Sequence, residues 1–388
     1  MTVKNGVLPK VMKRKLLFVV NVDWFFLSHR LPIALAALNQ GYEVHVATSI
    51  TDKFDVLRSY GLIVHPLIIG RSSTGIVGEV RTFMSILRIL MKVQPNIVHL
   101  VTIKPVLFGG IAARLAGVPA VVAAISGLGF VFLNKGKKAA VVRFLVSALY
   151  RLVLAKRNLK VICQNPNDRE ALVQAAGLKL DKVTMIPGSG VDLSAYAVTP
   201  LSKGVPAVIM AARLLRDKGV QEFVAAASLL AQRDVAVRFL LAGDPDPGNP
   251  ATVTQNELSA WDKEGNVELL GYSNDISNLF SQANIVALPS YYGEGLPKTL
   301  LEAAACGRAV VTTDHPGCRD AIETGKTGLL VPVKDPIALA NAIQRLIEDP
   351  ELCYSMGQAG RALAEREFAI EKIVDAHLKI YKELEANA

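Results

Sequence analysis

The sequence is short of cysteine, and its few cysteines are not arranged for a disulfide framework or a metal site. Four occur among 388 residues, far apart, without a C-x-x-C pair or a histidine at zinc-ligand spacing: Cys163, Cys306, Cys318 and Cys353. Dispersed cysteines of this kind are typical of a reduced intracellular protein, so we expect a cytosolic chain.

Long apolar runs are also lacking. The longest uncharged segment, residues 115–134, contains a proline and several glycines and would make a poor membrane-spanning helix. The apolar run that begins at residue 16 is broken by Asn21 and Asp23, which favours a buried first strand over a signal peptide. We therefore expect no transmembrane segment.

Acidic side chains are absent between Glu79 and Asp168, where thirteen Lys and Arg residues occur. Residues 1–200 hold 25 basic and 9 acidic side chains (net +16), whereas residues 201–388 hold 18 and 25 (net −7). This asymmetry predicts a positive surface on the first half that faces an anionic partner, either phospholipid or a phosphorylated substrate. The basic stretch has little aromatic interleaving and no reading motif, so we expect no nucleic-acid partner.

Residues 135–160 are predicted to form a basic helix. Arg143, Ser147 and Arg151 are four residues apart and make a narrow polar stripe among apolar neighbours. Cations beside apolar surface suit an anionic leaflet, and we expect peripheral association with the inner face of the cytoplasmic membrane. The alternative is a helix packed into the core with only this stripe in solvent.

Short β-branched runs alternate with helix-length segments along the whole chain, which predicts two α/β halves with parallel sheets. We place one Rossmann-like domain at 1–190, a Gly- and Pro-rich linker at 191–204, and a second Rossmann-like domain at 205–365. The last segment, 366–388, is predicted to be a helix that packs back toward the first domain. Ligands of such sheets collect beyond the carboxyl ends of the strands.

The strongest motif, residues 290–302, comprises a strand end, a Gly-rich turn and a helix that is predicted to open at Pro297. Free N–H groups and the dipole at a helix start favour a phosphate or a developing negative charge. Glu302 lies one turn inside, where its carboxylate can accept hydrogen bonds from a ribose diol. Taken singly, Glu294 and Glu302 could be an ordinary helix-start acid and an exposed carboxylate.

Together, Glu294 and Glu302 resemble the E-x7-E motif of family 4 retaining glycosyltransferases of the GT-B fold. The resemblance implies that Glu294 lies beside the transferred sugar and that Glu302 holds the nucleotide ribose. The other residues that we assign to the donor site are Gly295, Leu296, Pro297, Lys298, Tyr272, Ser189 and Gly190.

Arg213 and Lys218 follow the strand AVIMAA at the spacing at which the family clamps the donor diphosphate. Arginine offers a planar fork and lysine a point charge, so both suit phosphate oxygens. We assign them, with Glu294, to catalysis. The alternative is a pair of solvated surface cations, which is how we interpret Arg216.

The first half resembles a narrower subgroup, bacterial transferases that extend undecaprenyl-diphosphate-linked sugars of N-glycans and O-antigens. The matching stretches include residues 24–31, 98–105, 126–129, 164–166 and 187–192. From them we assign the acceptor site to Asp23, His29, Thr102, Lys104, Ser126 and Gly127. The Gly-Gly turn that many members carry after the first strand is replaced here by residues 21–24.

Three of the candidate side chains have competing interpretations. His29 follows a strand but could be a core histidine bonded to a carbonyl, and His99, inside an apolar strand, is interpreted as structural. Lys104 has no local acidic partner, which favours phosphate contact.

Asp244 and Asp246 match a metal-binding D-x-D pattern but lie in a Pro/Gly-rich loop of a chain with GT-B motifs, so we expect no metal and no cofactor.

These observations predict a metal-independent retaining transferase that moves a sugar, of HexNAc type by resemblance, from a UDP-sugar to a polyprenyl-diphosphate-linked sugar in bacterial surface-glycan or glycoprotein-glycan assembly. The transition state would be stabilised largely by electrostatic interactions. Two other classes stay open at this point: a GT-B sugar-nucleotide epimerase, and a noncatalytic protein that binds nucleotide sugars.

Overall fold

Two parallel β-sheets, one in each half of the chain, organise the structure, a computed structural model that describes residues 13–69, 75–128, 137–201 and 204–388. Within these residues the first sheet has the order β3-β2-β1-β4-β5-β6-β7, and all its pairs are parallel. Its strands are β1 (Lys15–Val22), β2 (Glu43–Ser49), β3 (Ile63–Pro66), β4 (Ile97–Val101), β5 (Ala120–Ile125), β6 (Leu159–Cys163) and β7 (Val183–Met185).

Helices cover both faces of this sheet, which explains why the central strands are apolar on both sides. β4 and β5 are buried at every position. The helices are α1 (Asp23–His29), α2 (Leu31–Asn39), α3 (Phe54–Ser59), α4 (Ile76–Val93), α5 (Gly110–Leu115), α6 (Lys137–Leu154) and α7 (Pro166–Ala176), with a π-helical turn at Pro105–Gly109 and a 3₁₀ turn at Leu180–Lys182.

The second sheet, in the described part of residues 204–388, has the order β10-β9-β8-β11-β12-β13 and is likewise parallel. Its strands are β8 (Ala207–Ala211), β9 (Arg238–Ala242), β10 (Glu268–Gly271), β11 (Ile285–Leu288), β12 (Ala309–Thr313) and β13 (Gly328–Val331). Its helices are α8 (Val220–Gln232), α9 (Gln255–Glu264), α10 (Ile276–Ser281), α11 (Lys298–Ala305), α12 (Pro336–Glu348) and α13 (Pro350–Leu363), with 3₁₀ turns at Arg216–Lys218 and Arg319–Ala321.

The last helix, α14 (Ile370–Ala386), lies against α2 and the strands β4, β5 and β6 of the first half, after a π-helical turn at Ala364–Phe368. Ile373, Ile380 and Leu384 join the core that contains Leu16 and Phe18. The chain therefore passes between the halves twice, and a backbone bridge between Val191 and Ala369 joins the two crossings.

Both sheets reverse their order at a switch point, between β1 and β4 in the first and between β8 and β11 in the second. Ligands of open parallel sheets bind beyond the carboxyl ends of the strands at this point. The candidate residues Asp23, Thr102, Arg213 and Glu294 follow those four strands, so the topology directs the search to this edge of each sheet.

One sequence-based expectation about the helices changes. The helix predicted over 135–160 is α6, which ends at Leu154; Lys160 belongs to strand β6, because the β-branched run after it pairs with β5. Gly129 and residue 135 lie outside the described residues. In the part of the chain that the structure describes, no helix is long and apolar enough to cross a membrane.

A buried polar cluster joins α14 to the first sheet. His99 on β4 and the Tyr381 hydroxyl are 2.6 Å apart, and His99 stacks on His377 with 5.6 Å between ring centroids. All three side chains are almost fully buried. Burial, reinforced by the nearby charge of Arg30, lowers the pKa of His377 to about 3, and burial also lowers the pKa of His99 well below its usual value.

We expect His377→Phe to reduce the acid sensitivity of folding. An unfolded histidine takes up a proton below about pH 6.5, whereas native His377 does not until about pH 3, so its stabilising effect is present above pH 6.5 and is lost as the pH falls. The slope of unfolding free energy between pH 6 and 4, from urea denaturation, should flatten by about 1.4 kcal/mol per pH unit. Lys379→Gln, an exposed change on α14, is the control; equal slopes in wild type and His377→Phe would contradict the assignment.

Candidate active site

A deep cleft lies between the two halves and contains two adjoining cavities. One, of about 520 Å³, is lined by both halves, and its candidate residues are His29, Thr102, Lys104, Ser126, Gly127, Ser189, Arg213, Glu294, Gly295, Leu296 and Lys298. The other, of about 510 Å³, is lined mainly by the second half and includes Tyr196, Tyr272 and Glu302. Trp24, Arg213 and Lys298 line both cavities, so the two are parts of one site.

Glu294 and Lys218 form a close ion pair at the base of the cleft. Lys218 Nζ lies 2.6 Å from Glu294 Oε1, and the Ser290 hydroxyl donates to the same oxygen at 3.2 Å. Both charged side chains are mostly buried, so the pair is screened little by solvent. Lys218 lines neither cavity, and its ammonium contacts Glu294.

Arg213 follows β8 and points into the shared part of the cleft. Its guanidinium donates to Asp246 Oδ2 at 2.8 Å and lies 5.8 Å from the ring centroid of Trp24, a residue of the first half. The second carboxylate of the D-x-D pattern is therefore engaged by an arginine. The Asp246 backbone N–H also donates to Thr252 Oγ1, which fixes the loop against Arg213.

Glu302 lies near the N-terminus of α11 and lines the second cavity. Its Oε1 accepts a hydrogen bond from the Tyr196 hydroxyl at 2.7 Å and is 3.3 Å from Lys298 Nζ. Lys298 also donates to the Ser28 carbonyl at 3.1 Å and so bridges to the first half. Burial, with the adjacent charge of Glu302, raises the pKa of Tyr196 above its usual range, so Tyr196 remains a donor.

His29 lies on the first-half wall of the cleft and is held in a fixed orientation. Its ring stacks on Phe25 with 4.1 Å between centroids, and Nδ1 contacts the Ser28 hydroxyl. Burial first, and then the positive charges of Arg30 and Lys298, lower the pKa of His29 to about 3. The imidazole is therefore neutral near pH 7 and offers a hydrogen-bonding nitrogen without a charge.

Thr102 has a strained backbone at the edge of the same cavity. Its φ is +73°, which is a rare conformation for a β-branched residue, and its N–H donates to the Ala124 carbonyl. The Thr102 Oγ1 atom is buried and has no hydrogen-bond partner among the described residues. A strained residue with an unused hydroxyl beside a cleft is typical of a ligand contact.

Comparison with known proteins agrees with this arrangement. The family described as "Glycosyl transferase 4-like" matches residues 15–173, and "Glycosyl transferases group 1" matches residues 196–363. The chain is 30% identical over 377 residues to N,N'-diacetylbacillosaminyl-diphospho-undecaprenol alpha-1,3-N-acetylgalactosaminyltransferase of Campylobacter jejuni, covering 92% of this chain and 97% of that protein. This chain belongs to the family 4 glycosyltransferases.

Another relative of this glycosyltransferase is an Escherichia coli enzyme named UDP-Gal:alpha-D-GlcNAc-diphosphoundecaprenol alpha-1,3-galactosyltransferase, 26% identical over 80% of this chain and 81% of that one. Among solved structures, sucrose-phosphate synthase of Thermosynechococcus elongatus has a TM-score of 0.79 at 21% identity and covers 97% and 100% of the two chains. HepE of Anabaena with UDP and glucose has a TM-score of 0.75 at 21% identity, with 95% and 99% covered. These structures confirm the GT-B fold.

Four sequence-based assignments in the glycosyltransferase need correction. Asp23 is fully buried, and its carboxylate accepts hydrogen bonds from the Thr51 N–H and hydroxyl at 2.7 and 2.8 Å, so it holds a loop and does not face acceptor. Lys104 lines the shared cavity, but the expectation that it has no acidic partner is wrong, because Glu79 on α4 lies 2.8 Å from its Nζ. Glu79 precedes Lys104 by 25 residues, so the local sequence around Lys104 does not show this pair.

Gly190 and Pro297, which the sequence analysis assigns to the donor site, are the other two residues whose assignment changes. Gly190 has a φ of +78°, and a side chain there would meet Ile370 of α14 at 2.9 Å, so this glycine serves the contact between the crossings. Pro297 has an extended ψ of 120° and precedes α11, which begins at Lys298, and it lines neither cavity. Arg216 is not simply solvated either, because it pairs with Glu257 at 2.8 Å.

Sequence reasoning missed three residues that the fold brings into the site. Tyr196, in the predicted linker, binds Glu302, and Gln164 and Asn165 bind the turn that carries Glu294. Asn165 before Pro166 is a recognisable helix-cap signal, but nothing in it indicates a second partner more than 100 residues away.

We expect Lys218→Met to lower the sugar-transfer rate by about 100-fold or more, because it leaves the mostly buried Glu294 carboxylate without its cation. The measurement is kcat with saturating substrates. Arg216→Met is the matched control: it belongs to the same 3₁₀ turn but pairs with the more exposed Glu257, and its rate should stay within about threefold. Equal losses in the two variants would show that the turn matters only structurally.

Proposed function

We propose that this glycosyltransferase transfers a sugar from a UDP-sugar to a polyprenyl-diphosphate-linked sugar, with retention at the anomeric carbon and without a metal ion. The observation that supports this best is the placement of the Glu294–Lys218 pair and Glu302 around the start of α11, at the junction of two cavities. One cavity belongs mainly to the second half and the other is shared, as a donor nucleotide and a separate acceptor require.

The reaction breaks the bond between the anomeric carbon and the β-phosphate oxygen of the donor. Negative charge develops on the diphosphate, and Arg213 with the free N–H groups at the start of α11 stabilises it. The Glu294 carboxylate stabilises positive character at the anomeric carbon. The acceptor hydroxyl oxygen forms the new bond on the same face, and its proton passes to an oxygen of the departing diphosphate.

Glu302 and Tyr196 support a ribose site at the far end of the donor. The Glu302 carboxylate has a second oxygen beyond the one that binds Tyr196 and Lys298, and carboxylates readily accept from vicinal hydroxyls. The exposed ring of Tyr272 lines the same cavity. We place the uridine there, with Tyr272 near the base and the diphosphate toward Arg213.

The chemical class of donor and acceptor follows from the relatives. One is named as an N-acetylgalactosaminyltransferase and one as a galactosyltransferase, and both names specify an undecaprenol diphosphate sugar. We propose a HexNAc-type donor, since the relative matched over more of the chain uses one. The place in metabolism is then the assembly of a bacterial surface or glycoprotein glycan.

An exposed apolar face on the first half supports docking on a membrane that carries the acceptor. In the polar stripe of α6, Arg143 and Ser147 are half-buried and Arg151 is exposed, while the apolar Val141, Phe144 and Leu145 are exposed as well, Phe144 by 71%. Neighbouring α4 and α5 add further exposed apolar residues: Ile76, Val77, Val80, Met91 and Leu115. This pattern opposes a helix packed into the core and fits insertion beside anionic headgroups that the basic half attracts.

Release of UDP by the purified protein tests the transferase assignment. We expect release only when a UDP-sugar and a polyprenyl-diphosphate-linked sugar are both present, and we expect it to survive EDTA. Glu294→Gln should lower the rate by about 100-fold or more because the neutral amide cannot stabilise the anomeric centre. Glu264→Gln, an exposed change on α9, should not alter it. Release without acceptor, or loss of activity in EDTA, would contradict the proposal.

Binding to vesicles of anionic phospholipid tests the membrane face. We expect Phe144→Asp to lower the fraction that sediments with vesicles about tenfold, because burial of one aromatic side chain is worth about 1.5–3 kcal/mol. Ile337→Asp is the matched control, since Ile337 is also exposed, by 56%, but lies on the second half. Equal sedimentation of both variants would place the docking face elsewhere.

A further inference from the structure

The residues after β6 reach across the cleft and bind the turn that carries Glu294. Gln164 Oε1 accepts a hydrogen bond from the Leu296 N–H at 3.0 Å. Asn165 Nδ2 donates to the Gly295 carbonyl at 3.1 Å. The Gly295 carbonyl and the Leu296 N–H, in the two residues after Glu294, are therefore bound by side chains of the first half.

The same cluster holds the loop on the acceptor side of the cleft. Asp168 on α7 accepts from the Asn165 amide at 2.9 Å and from the Leu128 N–H at 3.2 Å. Leu128 follows Ser126 and Gly127, which line the cleft. Gln164, Asn165 and Asp168, which we call the clasp, thus join the acceptor-side loop to the donor-side turn.

The fit between the two loops leaves no space for a side chain. A Cβ at Gly127 would lie 2.3 Å from the Gly293 carbonyl oxygen, and a Cβ at Gly295 would lie 1.8 Å from Gln164 Oε1. Gly127 therefore allows backbone contact between the halves, and Gly295 leaves space for the Gln164 side chain. The contact is therefore specific to one relative position of the two loops.

The clasp is buried, so its hydrogen bonds are not exchanged readily for water. Asn165 is completely buried, and Gln164 and Asp168 are each only 8% exposed. Buried polar groups that lose a partner are costly, which makes the cluster sensitive to the separation of the halves. Opening of the cleft would leave the Gln164 and Asn165 side chains without their partners on the turn.

We propose that Gln164, Asn165 and Asp168 are positioning residues that lock the Glu294 turn against the acceptor-side loop and so place Glu294 at the junction of donor and acceptor. Placement matters because an error of about 1 Å at a reacting centre can cost about 100-fold in rate. Among the described residues, no hydrogen bond joins the clasp to Glu302 or Tyr196, so we expect donor nucleotide binding not to depend on it. Only the kinetic part of the test rests on the proposed function.

A purely local role for Asn165 is the alternative, because its Oδ1 also caps α7 by accepting from the Asp168 N–H at 2.8 Å. Asn165→Ser separates the two roles, since serine is a good helix cap but is too short and has no amide to reach the Gly295 carbonyl. Gln164→Met removes the side-chain amide, and with it the Oε1 acceptor, while it keeps the side-chain length; Gln164→Glu retains an acceptor oxygen. Asp335→Ser exchanges one cap for another on α12, away from the cleft, and serves as the control.

The kinetic experiment measures kcat for sugar transfer and, separately, the dissociation constant for UDP. We expect Gln164→Met and Asn165→Ser each to lower kcat about tenfold, the loss expected for one buried hydrogen bond, with UDP affinity within about threefold of wild type. Gln164→Glu should recover most of the rate, and Asp335→Ser should match wild type. Unchanged kcat in both clasp variants, or equal losses of rate and UDP affinity, would overturn the proposal.

Amide hydrogen exchange tests the lock without requiring turnover. In Gln164→Met, the Leu296 N–H loses its acceptor, so exchange in a peptide that spans 293–300 should quicken while exchange in β11 and β12 stays unchanged. Gly127→Ala, which forces the loops apart, is expected to give the same pattern. If wild type shows this protection but transfers no sugar from any donor, the lock stands and the proposed function fails; equal exchange in wild type and both variants overturns the lock.

Discussion

The buried ion pair between Lys218 and Glu294 depends on two separate parts of the chain meeting at one edge of the second sheet. Lys218 comes from the turn after β8, Glu294 from the turn after β11, and Ser290 supplies the hydrogen bond that completes the coordination of Oε1. A mostly buried pair repays its desolvation only when the geometry is good and the other lone pairs are satisfied. The rest of the cleft maintains that geometry: Gly219, with its positive φ, lets the 3₁₀ turn approach Pro289 closely.

The sequence predicts those parts of the fold that depend on local pattern. Alternation of buried β-branched runs with helices led to two parallel sheets, and the motif that contains Glu294 and Glu302 led to the cleft, which both side chains line. Arg213 is expected beside that motif because Arg213 follows β8 and Glu294 follows β11, the two strands at the switch point; both residues line the same cavity. These inferences need only the order of elements and the rule that ligands lie beyond carboxyl ends.

Side chains whose partners are distant in sequence could not be assigned in this way. Asp23 and Lys104 follow strands as site residues should. The Asp23 carboxylate, however, accepts a hydrogen bond from Thr51 in the loop after β2, and Lys104 pairs with Glu79 on α4. Position after a strand brings a residue near the cleft, but the direction of its side chain depends on the partners that the tertiary structure supplies. The same is true of Tyr196 and Gln164, whose partners Glu302 and Leu296 are on the far side of the linker.

The two chain crossings set how the halves can move. A backbone bridge joins the crossings at Val191 and Ala369, where the Val191 N–H donates to the Phe368 carbonyl at 2.9 Å and the Val191 carbonyl accepts from the Ile370 N–H at 3.0 Å. The bridge and the contacts across the cleft, between Gly127 and the Glu294 turn and between Lys298 and Ser28, therefore restrain the two halves at separate places. A rotation about the bridge would separate Glu294 from the loop that contains Gly127. Glu302 and Tyr196 would move together, because both lie between the two crossings in the sequence and a hydrogen bond joins them.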